Sequence, residues 1–154
     1  MVWLQRRAWW LLLTLTVLVA VIGIWPVMVG IREDASVPLG IAGRTASQLE
    51  AVSAHGYRLL DFQARSGGMA LIVIGSLLSA VLLFAFRQTR RWAWWALWVL
   101  PLWGASTVVL ILAIGVAPGQ APPWPMFSGA IITVLSAALL VVSGPLFFGR
   151  KGVD

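Results

Sequence analysis

The chain of 154 residues has no cysteine, a single histidine and only 10% charged residues. The absence of cysteine excludes disulfide frameworks, thiolate metal sites and thiol redox chemistry. A soluble domain covers its surface with charged side chains, which are too few here, whereas hydrophobic residues make up 60% of the chain. The composition therefore excludes a soluble enzyme, a nucleic-acid-binding domain and a disordered tail, and it is typical of an integral membrane protein.

Four long apolar runs without charge account for this composition. They cover residues 8–31, 67–86, 92–116 and 126–148. As α-helices of about 20 to 25 residues they would be about 30 to 37 Å long, enough for a hydrocarbon core of about 30 Å. Only a helix satisfies its own backbone in lipid. The sequence predicts one all-α integral membrane domain over residues 1–154, a bundle of four transmembrane helices with residues 32–66 forming a cap outside the bilayer.

The charges predict the orientation of the bundle. Three segments would lie on one side of the membrane: the one before the first span, the one between the second and third spans, and the one after the fourth. Together they carry a net charge of +6, from Arg6, Arg7, Arg87, Arg90, Arg91, Arg150, Lys151 and Asp154. The opposite side is neutral, with Arg32, Glu33, Asp34, Arg44, Glu50, Arg58, Asp61 and Arg65. By the positive-inside rule both termini are cytoplasmic and residues 32–66 are extracytoplasmic, in a plasma or bacterial inner membrane. A cleaved signal peptide is disfavoured, because the first run is too long and lacks a cleavage site.

The four spans contain no Asp, Glu, Lys, Arg or His. Proton-coupled transport, ion relays and voltage sensing usually require such a residue in the bilayer. Haem and diiron proteins would need intramembrane His or Glu. We therefore expect no cofactor and no active-transport chemistry.

Tryptophan and proline point to one candidate ligand site in the third span. Most of the ten tryptophans lie at span ends and are typical of an interfacial belt, but Trp103 should lie near mid-membrane, where its N–H needs a Ser or Thr on a neighbouring helix. Pro101 frees the carbonyl of Leu97 and predicts a kink, as Pro26 and Pro145 do in their spans. A ligand site there would be formed by Pro101, Trp103, Ser106 and Thr107.

Small residues at four-residue spacing predict close helix contacts. They occur in the second and fourth spans as Gly75, Ser79, Gly129, Thr133 and Ala137. Such faces let two backbones approach closely. We expect spans two and four to pack through these faces, within the chain or across a dimer.

The cap is predicted to consist of two short amphipathic helices. The first, over residues 46–54, follows from a capping-box pattern of Ser47 and Glu50, reinforced by Thr45 and Gln48. The second begins at residue 57 and runs into span two, where Asp61 and Arg65 have a favourable i, i+4 spacing. The contact residues expected on this cap are His55, Tyr57, Arg58, Asp61 and Arg65.

His55 raises the possibility of a metal or acid–base site. It could join Glu50, Asp61 and the Glu33-Asp34 pair around a metal ion, or act with Tyr57 as an acid–base pair. However, Glu50 and His55 would lie about 140° apart on a helix, and no HExxH motif is present. The sequence favours a solvated loop histidine and no metal site.

The junction between the second and third spans reads Arg87-Gln88-Thr89-Arg90-Arg91-Trp92-Ala93-Trp94-Trp95, and Pro101 follows. With the layout of four spans, this junction resembles small bacterial four-helix membrane proteins of the DoxX-like kind. The resemblance covers only the layout and this junction, and it implies no functional residues.

Two functions are compatible with these features. The favoured one is a non-enzymatic accessory, scaffold or regulatory subunit whose cap contacts a membrane protein partner or a second copy of the chain. The alternative is a binder or carrier of an apolar or neutral small molecule, such as a lipid or quinone-like compound, near Trp103 and Pro101. Nucleic acid is not an expected partner, because the basic residues flank apolar spans. An internal cavity at Trp103, Ser106 or Thr107 would favour the binder, and a solid interior the scaffold.

Overall fold

The computed structural model describes residues 2–32 and 36–148, with side chains from Arg7 onward. In this part helices are the only regular secondary structure, and there is no strand. Several residues of the charge and tryptophan patterns lie outside the described residues or have undescribed side chains, namely Trp3, Arg6, Glu33, Asp34, Arg150, Lys151 and Asp154.

Six α-helices form the described structure. They are α1 (Val2–Val29), α2 (Ala46–Val52), α3 (Ala54–Val81), α4 (Arg91–Ala96), α5 (Val99–Ile114) and α6 (Trp124–Phe148). A π-helical turn, Pro38–Ala42, precedes α2, and another, Leu82–Phe86, extends α3. Four helical stretches are long and apolar enough to cross a membrane: Arg7–Val29, Ala54–Phe86, Arg91–Ile114 and Trp124–Phe148. The prediction of four membrane-length helices is confirmed.

The helix α2 begins one residue after Thr45. The Thr45 hydroxyl accepts the amide of Gln48 at 3.2 Å, and the Gln48 side chain accepts the amide of Thr45 at 2.9 Å. This reciprocal pair satisfies two amides at the start of the helix. The short helix was predicted, but the capping pair is Thr45 and Gln48 and not Ser47 and Glu50.

The second helix of the predicted cap runs into span two, as predicted, but it begins at Ala54 and not at residue 57. It forms the first turns of a continuous stretch, Ala54–Phe86, of 33 residues. The Ser53 hydroxyl caps this helix by accepting the amide of Gly56 at 3.1 Å. No proline interrupts the stretch, which is about 50 Å long. An apolar run marks only the part of such a helix that suits lipid, so the predicted boundary at residue 67 lies within the helix.

The helices α1 and α3 pack as an antiparallel pair. Gly75 lies so close to α1 that a Cβ atom there would be 2.7 Å from the carbonyl oxygen of Thr16 and from the amide nitrogen of Ala20. The hydroxyls of Thr16 and Ser79 lie 2.8 Å apart and join the two helices by a hydrogen bond. Small side chains thus permit both close packing and a polar link.

The helices α5 and α6 form a second antiparallel pair. A Cβ atom on Gly104 would lie 2.6 Å from the carbonyl oxygen of Gly129. The Thr133 hydroxyl lies 2.7 Å from the carbonyl oxygen of Gly129 and 3.3 Å from that of Pro101. The small faces of spans two and four therefore make the predicted close contacts, but with α1 and α5 and not with each other.

The third span is broken where Pro101 predicts it. Between α4 and α5, Leu97 and Trp98 form a turn. The carbonyl of Leu97 accepts the amide of Leu100 at 3.1 Å, which replaces the bond that Pro101 cannot make. In contrast, Pro26 and Pro145 lie inside continuous helices.

The two helix pairs contact each other through α1 and α6. At one end, α4 and the π-helical turn Leu82–Phe86 add to this contact. We name this end, with Arg7, Arg87, Arg90 and Arg91, the arginine end, and the opposite end the loop end. The main hydrophobic core lies toward the arginine end. It contains Leu12, Leu15, Val19, Leu78, Leu82, Ala85, Phe86, Ala93, Leu97, Leu100, Ile132, Leu140 and Phe147.

Candidate functional site

A cavity of about 570 Å³ lies between the helix pairs toward the loop end. We call it the loop-end cavity. Its lining comes from all four long helices and the segments beside them. It consists of Val19, Ile22, Trp25, Pro26, Gly30, Ser36, Ala64, Leu71, Trp103, Thr107, Trp124, Pro125, Ser128 and Ile132. A volume of this size is within the range of small-molecule sites, about 300 to 1,000 Å³.

The cavity continues directly from the core. Val19 and Ile132 belong to both, so they form its floor. At the other side Trp25 and Trp124 line the cavity but are 61% and 63% exposed, so the cavity reaches the molecular surface beside these two rings. The interior is therefore packed near the arginine end and hollow near the loop end.

Few polar groups of the described residues line the cavity, and none of these is charged. The hydroxyl of Thr107 donates to the carbonyl of Trp103 at 3.1 Å, and that of Ser128 to the carbonyl of Pro125 at 3.3 Å. Each hydroxyl thus satisfies a backbone carbonyl of its own helix and still offers an acceptor lone pair.

Trp103 lines the cavity, as the small-molecule hypothesis expects. Its predicted hydrogen bond to a Ser or Thr of a neighbouring helix is wrong, because no described residue accepts a bond from its indole N–H. The threonine hydroxyls of α5 and α6, those of Thr107 and Thr133, are hydrogen-bonded to backbone carbonyls. An indole N–H without an acceptor in the protein is a group that a ligand with an acceptor can satisfy.

The other two residues of the candidate ligand site lie elsewhere. Pro101 is buried against α6, next to Thr133. Ser106 is exposed, and its hydroxyl donates to the carbonyl of Leu102 at 2.7 Å. Trp103 and Thr107 are four residues apart and both line the cavity, whereas Ser106 is about 100° from Thr107 around the helix and does not. The structure thus joins Trp103 and Thr107 at the cavity, without Pro101 and Ser106.

At the loop end, Asp61 and Arg65 bind the end of α1. Arg65 Nε donates to Asp61 Oδ2 at 2.8 Å, which is the predicted i, i+4 pair. Arg65 Nη1 also donates to the carbonyl of Val27 at 2.7 Å, and Asp61 Oδ1 accepts the amide of Ile31 at 3.0 Å. The pair therefore satisfies backbone groups that α1 cannot satisfy at its C-terminus.

Gly30 makes this contact possible. Its φ of 66° is a left-handed conformation, which lets the chain turn away at the end of α1. A Cβ atom at this position would collide with the Asp61 carboxylate. The close contact of α1 with α3 at the loop end therefore depends on glycine at this position.

Arg32, Glu50 and Tyr57 form a smaller polar cluster beside α2. A guanidinium nitrogen of Arg32 lies 3.5 Å from Glu50 Oε2, and both side chains are largely exposed. Tyr57, and to a lesser degree Glu50, raises the pKa of Arg32 above its ordinary value. The three residues line a surface pocket of about 370 Å³ with Thr45, Ala46 and Ser47.

The remaining cap residues have no described site. His55 and Arg58 are exposed, and the described part of the chain contains no hydrogen bond or ion pair to either side chain. Among the residues 7–32 and 36–148 no three His, Asp or Glu side chains lie close enough to hold a metal ion. The predicted contact residues thus separate into the Asp61–Arg65 pair, Tyr57 in the polar cluster, and two exposed side chains.

Sequence reasoning missed two roles of tryptophan. The interfacial belt predicted for tryptophans at span ends does not account for Trp25 and Trp124, which border the cavity. Nor does it account for Trp94, whose indole N–H donates to the carbonyl of Leu140 in α6 at 2.9 Å. An i, i+4 count on one helix does not reveal such contacts, because they depend on which neighbouring helix lies opposite.

Comparison with known proteins adds no functional assignment. No protein family, no curated protein and no solved structure shows a significant match to this chain.

Proposed function

We propose that the protein is a four-span integral membrane protein with both termini in the cytoplasm and the loop end outside. The distribution of charge supports this orientation, since the net charge of +6 belongs to the segments that precede the first span, join the second to the third and follow the fourth. The apolar, largely exposed outer surfaces of the four long helices suit contact with lipid. A cap of residues 32–66 then lies on the extracytoplasmic side.

We further propose that the protein binds a neutral, largely apolar small molecule in the loop-end cavity. The single observation that carries this proposal is the cavity itself, which includes Trp103 and Thr107. A protein that binds a small molecule requires such a cavity, whereas a scaffold does not. The structure therefore favours the function that the sequence ranked second. Nothing in the geometry points to a chemical reaction, and we propose no catalytic residue.

The lining defines the chemistry of this ligand. Among the residues that the structure describes, no side chain with a formal charge borders the cavity, so a charged ligand would lose hydration without gaining a partner from them. The indole N–H of Trp103 offers a hydrogen bond to an acceptor, and the rings of Trp25 and Trp124 border the opening. A lipid or quinone-like compound with a carbonyl group has these properties.

A second candidate function is an accessory subunit that binds a partner through the first turns of α3. Leu59 and Phe62 are apolar and largely exposed there, as is Val52 in α2. The stretch Ala54–Phe86 is about 20 Å longer than a hydrocarbon core of about 30 Å, so these residues are candidates for contact with another membrane protein.

One experiment tests the first proposal against the second. The protein is extracted in mild detergent and analysed by native mass spectrometry, with Ala64→Phe as a variant that fills the cavity. Ala130→Phe, on an exposed position of α6, is the matched control. We expect a small-molecule adduct at near-stoichiometric occupancy in the wild type and the control, and a loss of at least about tenfold in Ala64→Phe.

Two outcomes would contradict ligand binding in the cavity. One is an adduct of equal occupancy in Ala64→Phe and the control, which would place the ligand elsewhere. The other is a defined protein complex without a small-molecule adduct, which would support the accessory subunit. In that case Phe62→Ser should dissociate the complex while Ala64→Phe leaves it intact.

A further inference from the structure

We propose that the arginine end carries a separate binding site for the phosphate group of an anionic phospholipid, formed by Arg87, Arg90 and Arg91. The site lies at the opposite end of the bundle from the loop-end cavity and does not depend on the function proposed for it. Its recognition chemistry is the attraction of guanidinium groups to a phosphate oxygen.

The first observation is an uncompensated positive charge. Arg87, Arg90 and Arg91 lie within five positions of the chain. The acidic residues that the structure describes, Glu50 and Asp61, are both at the loop end. Asp61 and Arg87 are 26 positions apart along one helical stretch, or about 39 Å, which exceeds the screening length of about 8 Å at physiological salt. Within the described residues no carboxylate neutralises these arginines.

The second observation is that two of the arginines are held in place by uncharged groups. The guanidinium of Arg87 lies 4.7 Å from the centre of the Trp9 ring of α1. Arg91 Nε donates to the carbonyl of Phe147 in α6 at 3.2 Å. These contacts orient the side chains without cancelling their charge, so the terminal N–H groups of Arg91 remain available for an anion.

Arg90 has no such restraint. Its side chain is exposed, and none of the hydrogen bonds or ion pairs among the described residues involves it. It lies directly before α4, between the two restrained arginines in sequence. Arg90 is therefore the residue whose substitution removes charge from the site without removing an internal contact.

The backbone amides of residues 87–90 contribute nothing to the binding of the anion. The amides of Arg87, Gln88, Thr89 and Arg90 all donate to carbonyls of the preceding π-helical turn, at 2.9 to 3.2 Å. None of these four N–H groups is free to bind a phosphate oxygen. The affinity should consequently depend on the number of arginines.

The surroundings favour a lipid as the source of the phosphate. Trp10, Trp92 and Trp95 are large aromatic side chains at the same end, and each is more than half exposed. Such rings lie at the boundary between headgroups and hydrocarbon. A phospholipid can contact the rings with its chains while its phosphate meets the arginines, whereas free phosphate would use only the charges. A lipid with a choline group would place its own positive charge beside the three arginines, which disfavours its binding.

The test uses native mass spectrometry of the whole chain with added lipid. Dioleoylphosphatidylglycerol is compared with dioleoylphosphatidylcholine of the same chain length for the wild type, Arg90→Gln and Arg90→Lys. The control variant is Arg58→Gln, another exposed arginine without a described partner, at the loop end. We expect phosphatidylglycerol to bind more tightly than phosphatidylcholine, and Arg90→Gln to weaken its binding about fivefold. Arg90→Lys and Arg58→Gln should retain it.

Three outcomes would overturn the proposal. The first is equal binding of the two lipids by the wild type. The second is a loss of phosphatidylglycerol binding in Arg58→Gln as large as that in Arg90→Gln. The third is displacement of phosphatidylglycerol by inorganic phosphate at low millimolar concentration. The last result would assign the arginines to a free anion. Because the Arg90 side chain makes no described internal contact, a melting temperature equal to that of the wild type is expected for its variants and establishes that they fold.

Discussion

Trp94 and Trp95 are adjacent in the sequence but have different environments. Trp95 is 62% exposed, whereas the indole N–H of Trp94 binds the carbonyl of Leu140 in α6. The two side chains point about 100° apart on the helix. Trp94 donates its hydrogen bond to α6, whereas the Trp95 ring contacts α6 at Phe148, with ring centroids 6.2 Å apart. Trp94 therefore joins α4 to α6, and Trp95 contributes to the exposed aromatic surface.

Replacing Trp94 by Phe should remove this hydrogen bond while keeping most of the aromatic surface. Because a carbonyl loses its donor, we expect the free energy of unfolding to fall by about 1 kcal/mol. Trp95→Phe is the matched control and should have little effect. The measurement is the melting temperature in detergent, followed by far-UV circular dichroism. Equal destabilisation by both variants would show that the hydrogen bond of Trp94 contributes nothing specific.

Residue-scale prediction succeeded where both partners lie on one helix. The i, i+4 spacing of Asp61 and Arg65 predicted their ion pair, which the structure contains at 2.8 Å. It could not predict that Arg65 also binds the carbonyl of Val27, 38 positions away in sequence. That contact depends on how α1 and α3 are aligned, which a single helical periodicity does not contain.

The pairing of helices depends on where glycine lies within them. Gly75 faces α1 so closely that any side chain there must displace backbone atoms. Gly67, also in α3, is exposed, and a Cβ atom there would have no neighbour within 4 Å. Glycine is thus required for close helix contact at position 75 but not at position 67 of the same helix. Close approach matters in lipid because packing replaces the hydrophobic effect as the force between helices.

Gly75→Ala should accordingly destabilise the protein, and Gly67→Ala should not. The Cβ atom at residue 75 would lie 2.7 Å from backbone atoms of Thr16 and Ala20, and we expect a loss of about 1 to 3 kcal/mol. At residue 67 the higher helix propensity of alanine should leave stability equal or slightly raised. Thermal unfolding in one detergent compares them directly. A neutral Gly75→Ala would mean that α1 and α3 can separate without cost.

At the scale of the element, the sequence predicted the number of membrane-length helices and the break before Pro101. It did not predict where the helices end. Uncharged apolar runs locate the segments that suit lipid, since a charge within them is costly. They do not locate the start of α3 at Ala54, because the first turns of that helix are polar and follow local capping at Ser53. Both the apolar run and the cap signal are needed to place such a helix.

At the scale of the whole molecule, the interior is asymmetric. The core toward the arginine end is closely packed, while the loop end contains the cavity that includes Trp103 and Thr107. Sequence reasoning placed Trp103 near the middle of the bundle and proposed a ligand there. It could not predict that the two helix pairs leave a gap, because that gap depends on contacts between helices that are distant in sequence. The candidate site was therefore predicted in part.

The proposed orientation makes a prediction that the absence of cysteine renders simple to test. Because the chain has no native thiol, one introduced cysteine is the only site for a maleimide reagent. We expect His55→Cys and Gln120→Cys, both exposed at the loop end, to react with a membrane-impermeant maleimide added to intact cells. Gln88→Cys, exposed at the arginine end, should react only after the cells are opened. Position 55 is separated from position 88 by the second span and position 120 by the third, so positions 55 and 120 must respond alike if four helices cross. Labelling of position 88 alone in intact cells would reverse the orientation, and different responses at positions 55 and 120 would contradict four crossings.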